Sequence, residues 1–231
     1  GSEMCIRDSI MNKLARSILS LYSYSDVTEN TTIEDEMSIA LDLIAKMPIL
    51  MDGAYQAKRH KYDNASLIMH PLRPEENTAE SILSLIRNDR SYTKAEAQLL
   101  DTLLALHADH GGGNNSTFAC RVATSSGTDP FAAYTSAINS LKGPRHGGAN
   151  IKVIQMLDDI KAHVAHWENE GEVADYLTKI LRKEANDGSG LIYGMGHAVY
   201  TLSDPRAVIL KRKAMALAAG KEIEREFRLL D

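Results

Sequence analysis

The segment Leu141-Lys-Gly-Pro-Arg-His146-Gly-Gly-Ala-Asn150 decides how the chain is organised. A run of apolar residues at helical spacing ends at Leu141, and Gly143-Pro144 prevents that helix from continuing. A second helical pattern begins after Gly147-Gly148, so His146 is expected in a sharp turn just ahead of a helix N-terminus. The partial positive charge there disfavours an imidazolium. We therefore expect either a neutral hydrogen-bond donor at His146 or simply a histidine packed in a helix corner.

Composition narrows the class of protein. A chain of 231 residues with 44% hydrophobic and 25% charged residues is typical of a globular protein of one or two domains. The net charge of -5 argues against a nucleic-acid partner, and no apolar stretch reaches the ~20 residues of a membrane span. Cys5 and Cys120 are too few for a disulfide framework, which indicates a reducing compartment and a cytoplasmic protein.

Apolar residues recur at helical spacing through most of the chain, and no alternating strand pattern appears, so the sequence predicts an all-α fold. A second helix, with an apolar face that includes Met37 and Leu41, is expected to stop before Pro48. Residues 114–126 are expected to form a buried helix. The last helix is expected to run from Asp204-Pro205 to about Arg228. The other predicted helices cover residues 10–22, 75–86, 93–110, 129–141 and 172–185, and one more amphipathic helix is expected through Ile151 to Ile160, with His163 and His166 near its end.

Three histidines, His110, His146 and His197, stand beside glycine breaks at predicted helix ends. Polar groups at such ends can converge on one cleft. A metal site at His107, Asp109 and His110 is disfavoured, because the chain has no His-Glu-x-x-His pattern. A serine hydrolase is disfavoured as well, because no Gly-x-Ser-x-Gly elbow occurs.

Three motifs together resemble the citrate synthase family. They are His107-Ala-Asp-His110-Gly-Gly-Gly-Asn-Asn-Ser116, Gly143-Pro-Arg-His146-Gly-Gly-Ala-Asn150 and Gly194-Met-Gly-His197-Ala-Val-Tyr-Thr-Leu-Ser-Asp204-Pro-Arg206. Each motif alone is weak, but their order and separations are specific. The resemblance covers residues from about Pro71 to the end of the chain. It implies the joining of acetyl-CoA to oxaloacetate, followed by hydrolysis of the citryl thioester, in the tricarboxylic acid cycle.

The resemblance also implies roles for single residues. His146 matches the histidine that donates a hydrogen bond to the thioester oxygen while an enolate forms, and His197 matches the histidine that polarises the oxaloacetate ketone and protonates the alkoxide. His110 and Arg206 match further oxaloacetate-binding residues. The remaining matches are Ser116 and Asn114, which orient the donor histidine, and Gly194, Met195 and Gly196, which contact the adenine of CoA. The family uses no metal and no tightly bound cofactor, and it forms homodimers.

The chain also departs from the family pattern. The proton-abstracting aspartate and two further arginines of the family lie beyond the position of Asp231, so we expect a fragment that does not turn over. Tyr193 stands where many members have proline, and Ala198 and Thr201 stand where basic residues are frequent. Residues 1–9 are expected to be a tag or leader, 10–146 a large helical domain and 147–231 a small one, with the active site in a cleft that closes over substrate.

Two other functions remain open at this stage. A 2-methylcitrate synthase would use propionyl-CoA with the same residues, and one methylene changes discrimination by only about 1–3 kcal/mol. A helical interaction module that keeps the motifs without the chemistry is the alternative from another class of protein. It should give no heat with oxaloacetate in a calorimeter.

Overall fold

The computed structural model describes residues 9–26, 31–108, 113–195 and 204–230. Within these ranges every regular element is helical and none is a strand, which confirms the all-α prediction. A single 3-10 turn, Leu21–Tyr24, follows the first helix. The α-helices are α1 (Ile10–Ser20), α2 (Ile33–Tyr62), α3 (Thr78–Ile86), α4 (Lys94–Ala108), α5 (Asn115–Ser125), α6 (Pro130–Leu141), α7 (Ala149–His163), α8 (Glu170–Leu181), α9 (Pro205–Ala218) and α10 (Glu224–Leu230).

Side-chain caps fix where several helices begin. The Glu96 backbone N–H donates to Thr93 Oγ1 at 3.2 Å, and the Thr93 N–H donates to the Glu96 carboxylate at 2.7 Å, which confirms the predicted capping box of α4. Asp129 accepts from the Ala132 N–H at 2.9 Å at the start of α6. Such caps satisfy N–H groups that would otherwise lack a partner at the first turn of a helix.

The predicted stop before Pro48 is wrong, because α2 continues through this proline to Tyr62. The second half of α2 packs on α3, and its Gln56 side chain is fully buried. The Gln56 Nε2 atom donates to Asp52 Oδ1 at 3.1 Å and to the Ile86 carbonyl oxygen at 3.4 Å. This packing offsets the ~3 kcal/mol that a proline costs inside a helix.

The chain divides into two compact units, Gly1–His146 and Gly147–Asp231. Each has its own apolar core. The first core contains Leu14, Ile18, Ile39, Leu43 and Phe131, and the second contains Met156, Ile160, Val164, Tyr176 and Ile180. The assignment of these units to a large and a small domain of the family stays a prediction.

Two further expectations about the helices are wrong. The helix predicted at 114–126 exists as α5, but none of its residues is buried, and Phe118 and Val122 are 63% and 53% exposed. In the part of the chain that the structure describes, helix α5 packs mainly against α6, and these two side chains stay exposed. The last predicted helix is two helices, because Gly220 adopts a positive φ of 72° between α9 and α10.

No helix among the described residues has the length and apolarity needed to cross a membrane.

The buried contact between α2 and α3 predicts a large effect at Gln56. Its replacement in Gln56→Ala leaves the Asp52 carboxylate and the Ile86 carbonyl without this donor inside the protein. We expect the free energy of unfolding to fall by about 2 kcal/mol in urea titrations. The matched control is Gln98→Ala on the exposed side of α4, which should change stability by less than ~0.5 kcal/mol. Equal losses in both variants would contradict the proposed packing.

Candidate active site

His146 lies in the turn between α6 and α7, as the sequence predicts. Its backbone N–H donates to the Gly143 carbonyl oxygen at 3.0 Å, and α7 begins at Ala149, three residues later. Glycine at 143 avoids a tight contact in this turn, because a Cβ there would lie 3.2 Å from the Ser140 carbonyl oxygen. The backbone of this turn therefore fixes the point from which the His146 side chain extends.

A side-chain contact then fixes the imidazole. The Ser116 Oγ and His146 Nε2 atoms lie 2.8 Å apart, and both residues are partly buried. The partners are thirty residues apart in sequence. The role that the family motifs imply for Ser116, to orient His146, stays a prediction.

Asn114 fixes the serine in turn. The Asn114 side chain is the N-cap of α5, and its Oδ1 atom accepts from the backbone N–H groups of Ser116 at 2.6 Å and Thr117 at 3.3 Å. Ser116 thus sits in the first turn of a capped helix, where its backbone has little freedom. Asn114, Ser116 and His146 form a continuous chain of contacts.

The contact limits what His146 can do chemically. A neutral imidazole carries one N–H donor and one acceptor nitrogen. If the Ser116 hydroxyl donates to Nε2, the ring proton resides on Nδ1, and that N–H is the donor left for a ligand. An anionic oxygen that forms during a reaction is the kind of acceptor that such a fixed, neutral donor stabilises.

Arg206 lies in the first turn of α9, next to the N-cap Asp204. Its Nε atom donates to both carboxylate oxygens of Asp204, at 3.1 and 3.2 Å, and its Nη2 atom donates to Oδ2 at 2.7 Å. Asp204 also accepts the backbone N–H of Arg206 at 2.9 Å. The sequence indicated only the cap and missed this ion pair. The Nε and Nη2 edge of the guanidinium therefore binds a planar carboxylate, that of Asp204.

The segment expected to contact the adenine of CoA begins in the loop after α8. Gly194 adopts a φ of 87°, and a Cβ on it would lie 3.4 Å from the Val153 Cγ2 atom of α7. Met195 is exposed. The positive φ would strain any other residue at 194, whereas the space beside Val153 leaves ordinary van der Waals contact, so the backbone conformation explains why the loop uses glycine.

Other predicted site residues fall outside the described ranges. These are His110, His197 and Gly196, so their roles stay predictions. His107, considered as a metal ligand, is exposed, and its Nδ1 atom lies 2.7 Å from the Leu103 carbonyl oxygen. In the ranges given above, no three histidine, cysteine or acidic side chains are grouped to hold a metal ion.

Sequence reasoning also missed a cluster beside Gly194. The Asp187 carboxylate accepts from Lys152 and from the Tyr193 hydroxyl. The run Asp187-Gly-Ser-Gly is a typical turn sequence and signals a side-chain hydrogen bond to the backbone, but nothing in it indicates Lys152, thirty-five residues away.

Comparison with known proteins agrees with the all-helical fold and with the family resemblance. The protein-family model "Citrate synthase, C-terminal domain" matches residues 3–231 of this chain. A citrate synthase of Corynebacterium glutamicum is 34% identical over 208 residues, which are 88% of this chain and 44% of that protein. A citrate synthase of Haloferax volcanii is 35% identical over 209 residues, again 88% of this chain and 50% of the relative.

Solved structures give the same result. Citrate synthase of Thermoplasma acidophilum, in a ternary complex with carboxymethyl coenzyme A and oxaloacetate, superposes with a TM-score of 0.77 at 25% identity. The match covers 96% of this chain and 54% of that one. The enzyme of Thermotoga maritima, at 23% identity and a TM-score of 0.69, shares the fold.

The described residues define an all-helical protein with a serine-bound histidine in a turn just ahead of a helix. The chain belongs to the citrate synthase family. It spans about half the length of the curated relatives that it matches.

The hydrogen bond between Ser116 and His146 predicts a defined imidazole tautomer. In ¹⁵N NMR spectra of the ring nitrogens, we expect His146 to be held mainly as the Nδ1–H form by the serine hydroxyl. Ser116→Ala removes the donor, so the two tautomers should approach the mixture seen for free histidine. Ser125→Ala, which removes an exposed hydroxyl bonded within α5, should leave the signals unchanged. Unchanged His146 signals in Ser116→Ala would contradict the assignment.

Proposed function

We propose that this chain is the part of a citrate synthase that carries the enolate-stabilising histidine and the first oxaloacetate-binding residues. The observation that supports the proposal most directly is the 2.8 Å contact between Ser116 Oγ and His146 Nε2. The names of the curated relatives favour acetyl-CoA as the acyl donor. The reaction joins acetyl-CoA to oxaloacetate and then hydrolyses the citryl thioester to citrate and CoA.

The proposed first step removes a proton from the acetyl methyl group. A carboxylate takes this proton, and the electron pair moves toward the thioester oxygen, which becomes enolic. His146 donates its Nδ1–H to that oxygen. Because the donor is neutral and already fixed by Ser116, little reorganisation accompanies the new charge.

The second step forms the carbon–carbon bond. The methylene carbon of the enol attacks the ketone carbon of oxaloacetate, and the ketone oxygen becomes an alkoxide that His197 protonates. Water then cleaves the thioester, which releases CoA and citrate. His197 is the residue proposed for this proton because it is the second histidine that matches the family motif.

Binding of oxaloacetate is proposed to involve His110, His197 and Arg206. The Arg206 guanidinium already holds one carboxylate, that of Asp204. A substrate carboxylate would use the same planar donor geometry, either beside Asp204 or in exchange with it.

Acetyl-CoA is proposed as a co-substrate that binds the loop of Gly194, Met195 and Gly196, with no tightly bound cofactor. The Thermoplasma acidophilum relative was solved with a CoA analogue and oxaloacetate together, which supports this pair of ligands. Neither a nucleic acid nor a membrane is proposed as a partner. We place the protein in the cytoplasm, where the free thiol of Cys120 would stay reduced.

We further propose that these 231 residues bind substrate without turning it over. The aspartate that the resemblance requires for proton removal is not among them, and Asp204 is engaged as a helix cap and as the partner of Arg206.

The homodimer is proposed on the apolar outer side of α2. Ile33, Met37, Leu41 and Ile44 recur at helical spacing, and each is more than half exposed. The sequence predicts an apolar face on this helix but does not indicate that the face is exposed. The side chains that this part of α2 buries are different ones, Ile39 and Leu43. Apolar residues aligned on one exposed helix face are typical of an interface that a second copy covers.

A pair of variants separates binding from chemistry. His146→Ala should leave the heat of oxaloacetate binding to the 231-residue chain nearly unchanged. In the full-length enzyme that contains this chain, it should lower the rate of condensation by at least about 100-fold. Arg206→Leu should weaken oxaloacetate binding at least about ten-fold, because a charge-assisted donor pair is lost. Calorimetry and an assay of released CoA thiol measure the two effects.

The controls are His60→Ala and Arg212→Leu, both exposed positions, which should behave as wild type. Equal loss of oxaloacetate binding in His146→Ala and Arg206→Leu would contradict the separate roles. The absence of any heat with oxaloacetate in the wild-type chain would favour the interaction module.

The proposed interface predicts the oligomeric state. A double variant, Leu41→Glu with Ile44→Glu, places like charges on a face that would meet its own copy, so the dimer should dissociate in sedimentation equilibrium. Leu72→Glu, also at an exposed apolar position, should leave the dimer intact. A wild-type monomer, or a double variant that remains dimeric with native helical content, would contradict the interface.

A further inference from the structure

We propose that Tyr193, Asp187 and Lys152 are positioning residues that hold the loop of Gly194 and Met195 in the shape that binds CoA. The inference rests on the proposed function, because it takes this loop as the CoA contact. What it adds is a set of side chains that the family motifs did not indicate, with Asp187 at the centre.

The Asp187 carboxylate accepts hydrogen bonds from three donor groups. Its Oδ2 atom accepts from the Tyr193 hydroxyl at 2.7 Å and from Lys152 Nζ at 3.1 Å. Its Oδ1 atom accepts from the backbone N–H of Ser189 at 3.1 Å. The Tyr193 hydroxyl also lies 3.2 Å from Ser189 Oγ. The Asp187 carboxylate therefore links parts of the loop to each other, through Ser189 and Tyr193, and links the loop to α7 through Lys152.

Helix α7 provides the other side of the attachment. Lys152 Nζ lies 5.8 Å from the centre of the Tyr193 ring, and the Tyr193 backbone N–H faces Met156 Sδ at 3.4 Å. Val153 lies against Gly194. Lys152, Val153 and Met156, which lie within little more than one turn, thus join the loop to the first half of the helix that begins just after His146.

The charges agree with this arrangement. Hydrogen bonds from Ser189 and Tyr193, together with Lys152, hold the pKa of Asp187 far below its usual range. The same pairing raises the pKa of Lys152. Asp187 and Lys152 are therefore both charged at neutral pH, and their ion pair is open enough to solvent that salt will weaken it.

The loop requires such an attachment because of its composition. Gly188, Gly190 and Gly194 all adopt positive φ angles, and glycine gives an unrestrained chain many alternative conformations. A ligand that binds a disordered loop must pay the entropy of ordering it, whereas a preorganised loop binds more tightly with the same contacts. Tyr193 is adjacent to Gly194, so its anchored side chain limits the backbone at the point of contact.

The test compares Tyr193→Phe with Tyr24→Phe, which removes the hydroxyl of an exposed tyrosine in the other unit. Calorimetry with CoA should show binding weakened about five-fold in Tyr193→Phe and unchanged in Tyr24→Phe. Asp187→Asn should weaken binding to a similar extent, and the double variant should add little, because both changes remove the same contact. Additive losses would overturn the proposal.

A second readout does not depend on CoA. In ¹³C NMR titrations the carboxyl pKa of Asp187 should rise in Tyr193→Phe and stay unchanged in Tyr24→Phe. An unchanged Asp187 titration shows that the cluster does not exist, and a raised pKa with unaltered CoA affinity shows that it does not position the loop. If the wild type binds no CoA while the Asp187 pKa still rises, the proposed function of the loop is rejected, and the positioning role with it.

Discussion

The hydrogen bond between Ser116 and His146 is the contact on which the structure around the proposed site depends. It joins the first turn of α5 to the turn before α7. Three local features must cooperate for it to form: the Asn114 cap that fixes α5, the packing of α5 on α6, and the glycine turn at 143 that ends α6. An imidazole restrained in this way loses little entropy when a ligand arrives.

Every described residue of the proposed site lies at the end of a helix or in the loop between two helices. Ser116 and Arg206 occupy first turns, His146 precedes one, and Gly194 follows α8. Helix ends offer unpaired backbone groups and a partial charge, and caps make their geometry rigid without filling the site with apolar side chains. The apolar cores of the two units stabilise the fold, which leaves the residues at the helix ends available for the proposed binding and catalysis.

The sequence predicted the features that depend on local chemistry. Capping at Thr93 and Asp129, the turn at His146 and the all-α class follow from residue types at short spacing. Prediction was wrong where packing between distant segments matters: α2 continues through Pro48, which is buried, and the helix packs on α3. It was also wrong where an apolar pattern was taken for burial, as at Phe118 and Val122 of α5. The contacts of Lys152 with Asp187 and of Arg206 with Asp204 depend on folded geometry, so spacing alone did not indicate them.

The proposed function assigns His110 and His197 to oxaloacetate and His146 to the thioester oxygen of the acyl donor. The most direct measurement is a titration of the 231-residue chain, labelled with ¹⁵N-histidine, with oxaloacetate, following the ring signals of all eight histidines. We expect the signals of His110 and His197 to change together with a single apparent Kd, while exposed residues such as His60, His163 and His166 stay constant. Changes that miss His110 and His197, or that follow separate affinities at these two residues, would contradict the account.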